Sequence, residues 1–264
     1  MVREGLRIDN QHMPHALDPA RGKLERAHES ILSLEGEIEI FLQEGSGSVI
    51  PKDDQAAAQE AVKHHTSRII PGRFSILVGE IVHHLRSSLD HVAWQLSSQQ
   101  KRLSDPSGIE FPIFCSKPMD KSATRRYQRK IEGVGEHGRK IIDALQPYNR
   151  DPAFLLTGPV NDPLWIVHEM DRIDKHRELI ITLGAFDVAV SGMADIYLML
   201  YRQDDLPEED VVGLGRSFDP DSKVTTQVAF HEFGALRMQP VIPGLSKLTR
   251  YVNRVLDVFA SECF

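Results

Sequence analysis

The chain has 264 residues, of which 41% are hydrophobic and 26% charged, and these values are ordinary for a globular protein. Its formal net charge of −7 argues against a general nucleic-acid binder, and its two cysteines, Cys115 and Cys263, exclude a disulfide-stabilised scaffold. Because no apolar run reaches about 18 residues and residues 1–5 do not begin a signal peptide, we expect a cytoplasmic protein with no membrane partner.

A first helix is predicted to begin at Asp18 and Pro19, because aspartate caps helix N-termini and proline suits the first turn. Apolar residues then alternate spacings of three and four: Leu24, Ala27, Ile31, Leu34, Ile38 and Phe41. Gly45 ends the pattern before three full heptads are complete. This short seam predicts antiparallel packing against a second long helix rather than a free coiled coil.

A second helix, predicted over about 73–98, has an unusual polar face. At about 100° per residue, its apolar side chains share an arc of roughly 120°. The opposite arc collects His83, His84, Arg86, Ser87, Asp90, His91 and Trp94. Solvated helix faces are normally rich in lysine and glutamate, and an exposed tryptophan is uncommon. We expect this face to line a cleft or to be covered by another element or subunit, with Trp94 and His91 near a homodimer interface.

A basic window follows the second helix. Residues 111–114 form a short extended apolar anchor, and helices are predicted over about 119–131 and 136–146. Eight basic and three acidic residues lie between positions 117 and 140, so this window carries +5 and the remainder −12. The window is either a solvated surface or a phosphate-binding patch. In the second case Arg125, Arg126 and Arg129 are the candidate RNA-binding residues.

A further helix is predicted over about 162–183. A helical wheel places Glu169, Arg172 and His176 in or beside its apolar arc, so these three side chains are expected to be buried with partners. Two interpretations stay open. They form a core salt-bridge network, or they line a polar cleft where this helix crosses the second helix, which bears Arg86 and His91. His83 of the second helix is a further candidate binding residue.

The spacing of apolar residues changes from a helical to a strand-like pattern near residue 184. Alternating and continuous apolar stretches at 188–190, 196–201 and 224–230 predict three or four antiparallel strands within about 184–234. A last helix is predicted over about 244–262. The chain is therefore expected to be a single α+β domain, 1–264, predominantly helical. Its helical bundle covers about 18–183 and carries a small antiparallel sheet and a C-terminal helix.

The second helix contains an Arg-x4-His pattern, formed by Arg86 and His91 with Asp90 between them. In a helical context this motif resembles the HEPN superfamily, whose members are helical, often dimeric ribonucleases of toxin–antitoxin and antiphage systems. The resemblance implies a metal-independent RNA-cleaving site in a homodimer, with Arg86, Asp90 and His91 as catalytic residues. It also implies RNA and an antitoxin or other protein as partners. Arg86 and His91 lie roughly 140° apart on a straight helix, so two copies would complete one site.

Two other classes of function stay open. The histidines and nearby carboxylates offer ligands for a metal in the bundle, but no HExxH or comparable ligand spacing occurs. Alternatively, the chain is a non-enzymatic interaction module, whether a degenerate RNA-binding relative or a helical protein of other function. No phosphate-binding loop, dinucleotide fingerprint or CxxC motif is present, so no cofactor is predicted.

Overall fold

The computed structural model describes residues 15–44, 68–150, 158–187, 224–231, 236–237 and 239–264. Seven α-helices lie in this part of the chain: α1 (Asp18–Gln43), α2 (Gly72–Leu96), α3 (Gln99–Ser104), α4 (Lys121–Ile131), α5 (Glu136–Ala144), α6 (Pro163–Asp174) and α7 (Val241–Cys263). Two strands, β1 (Ile181–Asp187) and β2 (Val224–Phe230), form an antiparallel sheet. The predicted class, a predominantly helical α+β fold with a small sheet, is confirmed. None of the described helices is both long enough and apolar enough to cross a bilayer.

Helices α1 and α2 form an antiparallel pair, as the apolar seam predicted. Five seam residues of α1 are buried: Leu24, Ala27, Ile31, Leu34 and Ile38. Glu37 near the end of α1 pairs with Arg73 at the start of α2, at 2.8 Å. Ser88 in the second half of α2 donates to the carbonyl of Ala20 near the start of α1, at 2.9 Å. The N-cap prediction was one residue late, because Leu17 occupies that position and Asp18 is already helical.

Helix α2 lies at the centre of the bundle and packs against α1, α6 and α7. Its apolar arc is buried, with Leu85, Leu89 and Val92 fully inaccessible to solvent. Helix α7 begins three residues earlier than predicted and buries its expected apolar face: Leu248, Val252, Val255 and Phe259. The helix containing the Arg-x4-His motif is therefore held from three sides.

The sheet differs from the prediction in where its first strand lies. The strand predicted at 224–230 is confirmed and pairs with β1 from Ile181 opposite Phe230 to Asp187 opposite Val224. Residues 181–183 were wrongly placed in the preceding helix, which ends at Asp174. A tertiary partner, β2, decides the conformation of this short apolar run, whose periodicity fits either state. The strands predicted at 188–190 and 196–201 lie outside the described residues.

The extended anchor at 111–114 is confirmed and is fixed to the bundle by a buried amide. Phe111 and Ile113 are buried in the core. The Gln146 side chain donates to the carbonyl of Pro112 at 2.8 Å and accepts the amide hydrogen of Phe114 at 3.1 Å. The Gln146 amide therefore satisfies one carbonyl and one amide of the anchor and fixes it next to the end of α5.

Candidate functional site

Arg86 is buried in the structure, with 4% of its surface exposed. Its Nη2 donates to Asp90 Oδ1 at 2.9 Å and to the carbonyl oxygen of Phe111 at 2.8 Å. The same carboxylate oxygen of Asp90 accepts the Phe111 amide hydrogen at 2.8 Å. Arg86 and Asp90 together therefore bind the backbone carbonyl and the backbone amide of Phe111. The anchor of the same chain thus covers the part of this α2 face that carries Arg86, while Trp94 remains 36% exposed.

His168 of α6 lies in the electrostatic field of Arg86. Burial and, next in importance, the charge of the Arg86 guanidinium together lower the pKa of His168 to about 4. The imidazole Nδ1 and the guanidinium Nη1 of Arg86 are both buried, and neither has a hydrogen-bond partner among the described residues. The His168 imidazole of α6 is therefore neutral, and Arg86 of α2 has a donor, Nη1, that bonds to no described residue.

Asp90 and Lys130 link this group to the basic helix α4. Burial raises the pKa of Asp90, while the charges of Arg86 and Lys130 oppose that rise. Lys130 forms an ion pair with Glu110, just before the anchor, and its charge also acts on His168. We call Arg86, Asp90, Glu110, Lys130 and His168 the Arg86 cluster. It joins two cations with two carboxylates and an imidazole, and the pKa values of these last three groups are displaced.

The other motif residues of α2 are more accessible. His91 is partly buried and has no hydrogen bond or ion pair to another described residue. Trp94 is 36% exposed, and the Arg102 guanidinium lies 5.5 Å from its ring centroid. Arg102 also donates to the Trp94 carbonyl at 2.9 Å. His91 is not hydrogen-bonded to Arg86, so one chain does not bring the two motif residues into contact.

A second polar group lies one turn before Arg86, where α2 crosses α6. His83 Nδ1 lies 3.1 Å from Asp171 Oδ1, and His83 Nε2 lies 3.5 Å from Ser87 Oγ. Lys175 donates to the other carboxylate oxygen of Asp171 at 2.6 Å. We call these four residues the His83 cluster. Polar side chains of α2 and α6 do meet at this crossing, but the pair is His83 with Asp171, and Asp171 was not among the residues predicted there.

The three residues predicted on the buried face of the α6 segment lie elsewhere. Arg172 and Glu169 pair with each other at 2.7 Å, and the Arg172 side chain is 56% exposed. His176 follows the end of α6 and is exposed. The expectation of burial was wrong for Arg172 and His176, whereas Glu169 is partly buried. The prediction counted residues 180–183 as helical, and they belong to the loop and β1.

Asp171, which meets α2 from α6, was not predicted from the sequence, and His168 was considered only as one of the histidines available to a metal. A wheel restricted to residues 163–174 carries the signal. Leu164, Val167 and Asp171 recur at spacings of three and four and are all buried. An aspartate in such a series requires a partner, which His83 and Lys175 supply.

The basic helix α4 is capped by Asp120, which accepts the amide hydrogens of Ser122 and Ala123 at 2.8 Å each. Arg125 and Arg126 are exposed and form no ion pair with a described residue. Arg129, in contrast, binds both oxygens of Asp105, at 2.7 and 2.8 Å. Of the three arginines predicted to bind RNA, two are therefore free to meet an anion and one already has an intramolecular partner.

No group of three or more potential metal ligands is assembled within the described ranges. Comparison with known proteins adds no relative: no protein-family model, no curated protein and no solved structure matches the chain. Functional inference therefore rests on the two polar clusters and on the basic helix.

Proposed function

We propose that the protein is a cytoplasmic, metal-independent ribonuclease, or an RNA-binding relative of one, of the HEPN type. The observation that carries the proposal is the course of α4. This helix presents Arg125 and Arg126 to solvent, and its end places Lys130 where the lysine charge acts on Asp90 and His168 of the Arg86 cluster. RNA phosphates bound along α4 would thus approach the polar groups of α2.

The chemistry assigned to the motif needs a proton carrier and a cation. RNA cleavage without a metal transfers the 2′-hydroxyl proton to a base and delivers a proton to the leaving oxygen, while negative charge develops on the phosphate. Histidine is the side chain that most often transfers protons in such reactions, and His91 is the accessible motif residue. Arg86 supplies positive charge from a buried position: its Nη1 is closed to solvent, and Asp90 and the Phe111 carbonyl bind its Nη2.

The separation of Arg86 and His91 supports a homodimeric site. The two positions lie roughly 140° apart on α2, and no hydrogen bond joins their side chains. A second copy packed against the face that carries His91 and the partly exposed Trp94 would bring His91 of one chain toward RNA phosphates bound along α4 of the other. An antitoxin-like protein partner would act by covering that same face.

A non-enzymatic module is the second candidate, and one observation favours it. Arg86 and Asp90 already bind the backbone of Phe111, which gives two of the three motif residues a purely structural task. In that case α4 and the α2 face bind RNA or a protein without chemistry. The two candidates differ only in whether removing the His91 imidazole changes a reaction rate.

The experiment is cleavage of mixed RNA in excess EDTA by the wild-type protein, His91→Ala and the matched control His176→Ala. His176 is an exposed histidine outside the motif, so its loss should leave the rate unchanged. His91→Ala should lower the rate by about 10²–10⁴-fold, the usual effect of removing an acid–base group. Sedimentation should give a dimer at micromolar concentration that Trp94→Ala weakens.

The outcomes separate the candidates. Equal cleavage by all three proteins indicates a contaminating nuclease and contradicts the assigned site. RNA binding without cleavage, weakened by the double variant Arg125→Ala/Arg126→Ala, favours the RNA-binding relative. A protein that neither cleaves nor binds RNA contradicts the proposal and favours a protein-interaction module.

A further inference from the structure

We propose that Ser87, His83 and Asp171 form a second reactive site, a nucleophile–base–acid triad that hydrolyses aryl esters. Ser87 Oγ lies 3.5 Å from His83 Nε2, and His83 Nδ1 lies 3.1 Å from Asp171 Oδ1. A nucleophile within reach of a base, with a third group orienting that base, is the arrangement that activates serine on several unrelated folds. The proposal is independent of any action on RNA.

The local fold holds the three side chains in order. His83 and Ser87 are four residues apart on α2, which stacks them on one side of the helix. Asp171 comes from α6, is 5% exposed, and has its second oxygen bound by Lys175 at 2.6 Å. The orienting carboxylate is therefore buried and fixed, while the His83 side chain is more than half exposed and Ser87 is partly exposed. Of the three triad residues, only His83 and Ser87, which must contact the substrate, are accessible to solvent.

The hydrogen bonds also select the required tautomer. A carboxylate accepts only, so the proton of neutral His83 lies on Nδ1, facing Asp171, and Nε2 keeps its lone pair toward Ser87. The serine hydroxyl donates to that lone pair, which is the direction in which its proton must move. Asp171 then stabilises the imidazolium that forms after proton transfer.

The reaction assigned to this triad is ester hydrolysis in two steps. The hydroxyl proton of Ser87 passes to His83 Nε2 as Oγ bonds to the ester carbonyl carbon. The bond from that carbon to the leaving phenol oxygen breaks, and the phenol takes the proton from Nε2. Water then loses a proton to Nε2 and attacks the acyl carbon, and Ser87 Oγ leaves with that proton. One ester and one water give one acid and one alcohol.

The position of Ser87 in mid-helix limits the substrate class. The backbone amides around it are bonded within α2, so the helix offers no free pair of N–H donors to a tetrahedral oxyanion. Losing one such donor costs about 10²–10³ in rate. Amides and alkyl esters, whose leaving groups are poor, should therefore resist this triad. Aryl esters expel a phenolate readily and are the substrates assigned here.

The test uses the whole protein with p-nitrophenyl acetate and a fluorophosphonate probe, and it maps the modified residue by peptide mass spectrometry. Modification is expected at Ser87 and is expected to be lost in Ser87→Ala. Ser116→Ala, which removes an exposed serine outside the cluster, is the matched control and should react normally. His83→Gln should slow modification of Ser87 by about 10²-fold or more, because the base is gone.

Asp171→Asn tests the positioning role of the carboxylate. It should lower the maximal acylation rate at least about tenfold without changing the ester concentration at half-maximal rate, whereas loss of folding would abolish modification and alter circular dichroism. Modification of lysines alone, or Ser87 modified at the same rate in His83→Gln, overturns the proposal. Since the RNA assay relies on His91, failure of either experiment leaves the other unaffected.

Discussion

Helices α2 and α6 were both predicted to carry polar side chains on a face that should be covered, yet the structure treats the two sets differently. Arg86 of α2 is buried and binds both Asp90 and the Phe111 backbone. Glu169 and Arg172 of α6 pair with each other at the surface, where Arg172 is exposed and Glu169 partly buried. A polar residue in an amphipathic pattern is thus informative only when the phase of the helix is known from residues that are truly helical.

Breaking the α2 pair should have the largest effect on stability. Arg86→Ala leaves the Asp90 carboxylate and the Phe111 carbonyl without their shared donor in a buried setting. We expect a loss of about 3 kcal/mol in the free energy of unfolding, the low end for a broken buried pair because Asp90 is partly exposed. Urea unfolding followed by circular dichroism measures this loss.

Asp90→Asn is the matched control for that variant. The amide oxygen of asparagine can still accept hydrogen bonds from Arg86 and from the Phe111 amide, so only the charge is lost. Its cost should be about 1 kcal/mol, well below that of Arg86→Ala. If Arg86→Ala proved no more destabilising than Asp90→Asn, the hydrogen bond from Arg86 to the Phe111 carbonyl would not contribute to the free energy of unfolding.

The contrast also shows what could be predicted from the sequence. Elements with many turns of consistent pattern, such as α1, α2 and α7, were placed to within a few residues because tertiary packing agrees with their periodicity. The boundary between α6 and β1 was missed because residues 180–183 are apolar in either conformation, and only pairing with β2 decides between them.

The candidate site was predicted in part for a related reason. His83, Arg86, Asp90 and His91 share one helix, so their relative placement follows from helical geometry. The partners that decide their chemistry come from distant segments: Phe111 from the anchor, His168 and Asp171 from α6, and Lys130 from α4. Spacing along one helix carries no information about such contacts.

His168 gives the second prediction, a pH dependence of stability specific to the α2–α6 contact. The folded protein holds this imidazole neutral, with its pKa lowered from 6.5 to about 4 by burial and by Arg86. The unfolded chain takes up a proton below about pH 6.5, so this group makes stability fall as pH drops from about 6.5 toward about 4. At pH 5 the loss should be at most about 2 kcal/mol relative to pH 7.

His168→Phe isolates this contribution. Phenylalanine retains an aromatic ring beside Trp165 and removes the titrating, unpartnered nitrogen. Urea midpoints at pH 7 and pH 5 should therefore converge in the variant, relative to their separation in the wild type. Asp90, whose pKa is raised, acts in the opposite direction but is present in both proteins and cancels. An unchanged separation would mean that His168 is protonated without cost in the folded state.

The smallest effect is expected on the solvent side of α6. Arg172→Ala and Glu169→Ala remove a surface pair three residues apart, in which water and salt replace the lost partner. Because neither variant uncovers a buried group, we expect no measurable shift of the urea midpoint from either variant, and no coupling between them in a double-mutant cycle. Added salt should not change the order of the urea midpoints of the wild type, the two single variants and the double variant. A destabilisation comparable to that of Arg86→Ala would instead show that this face of α6 is covered in solution, as a second copy of the chain packed against it would require.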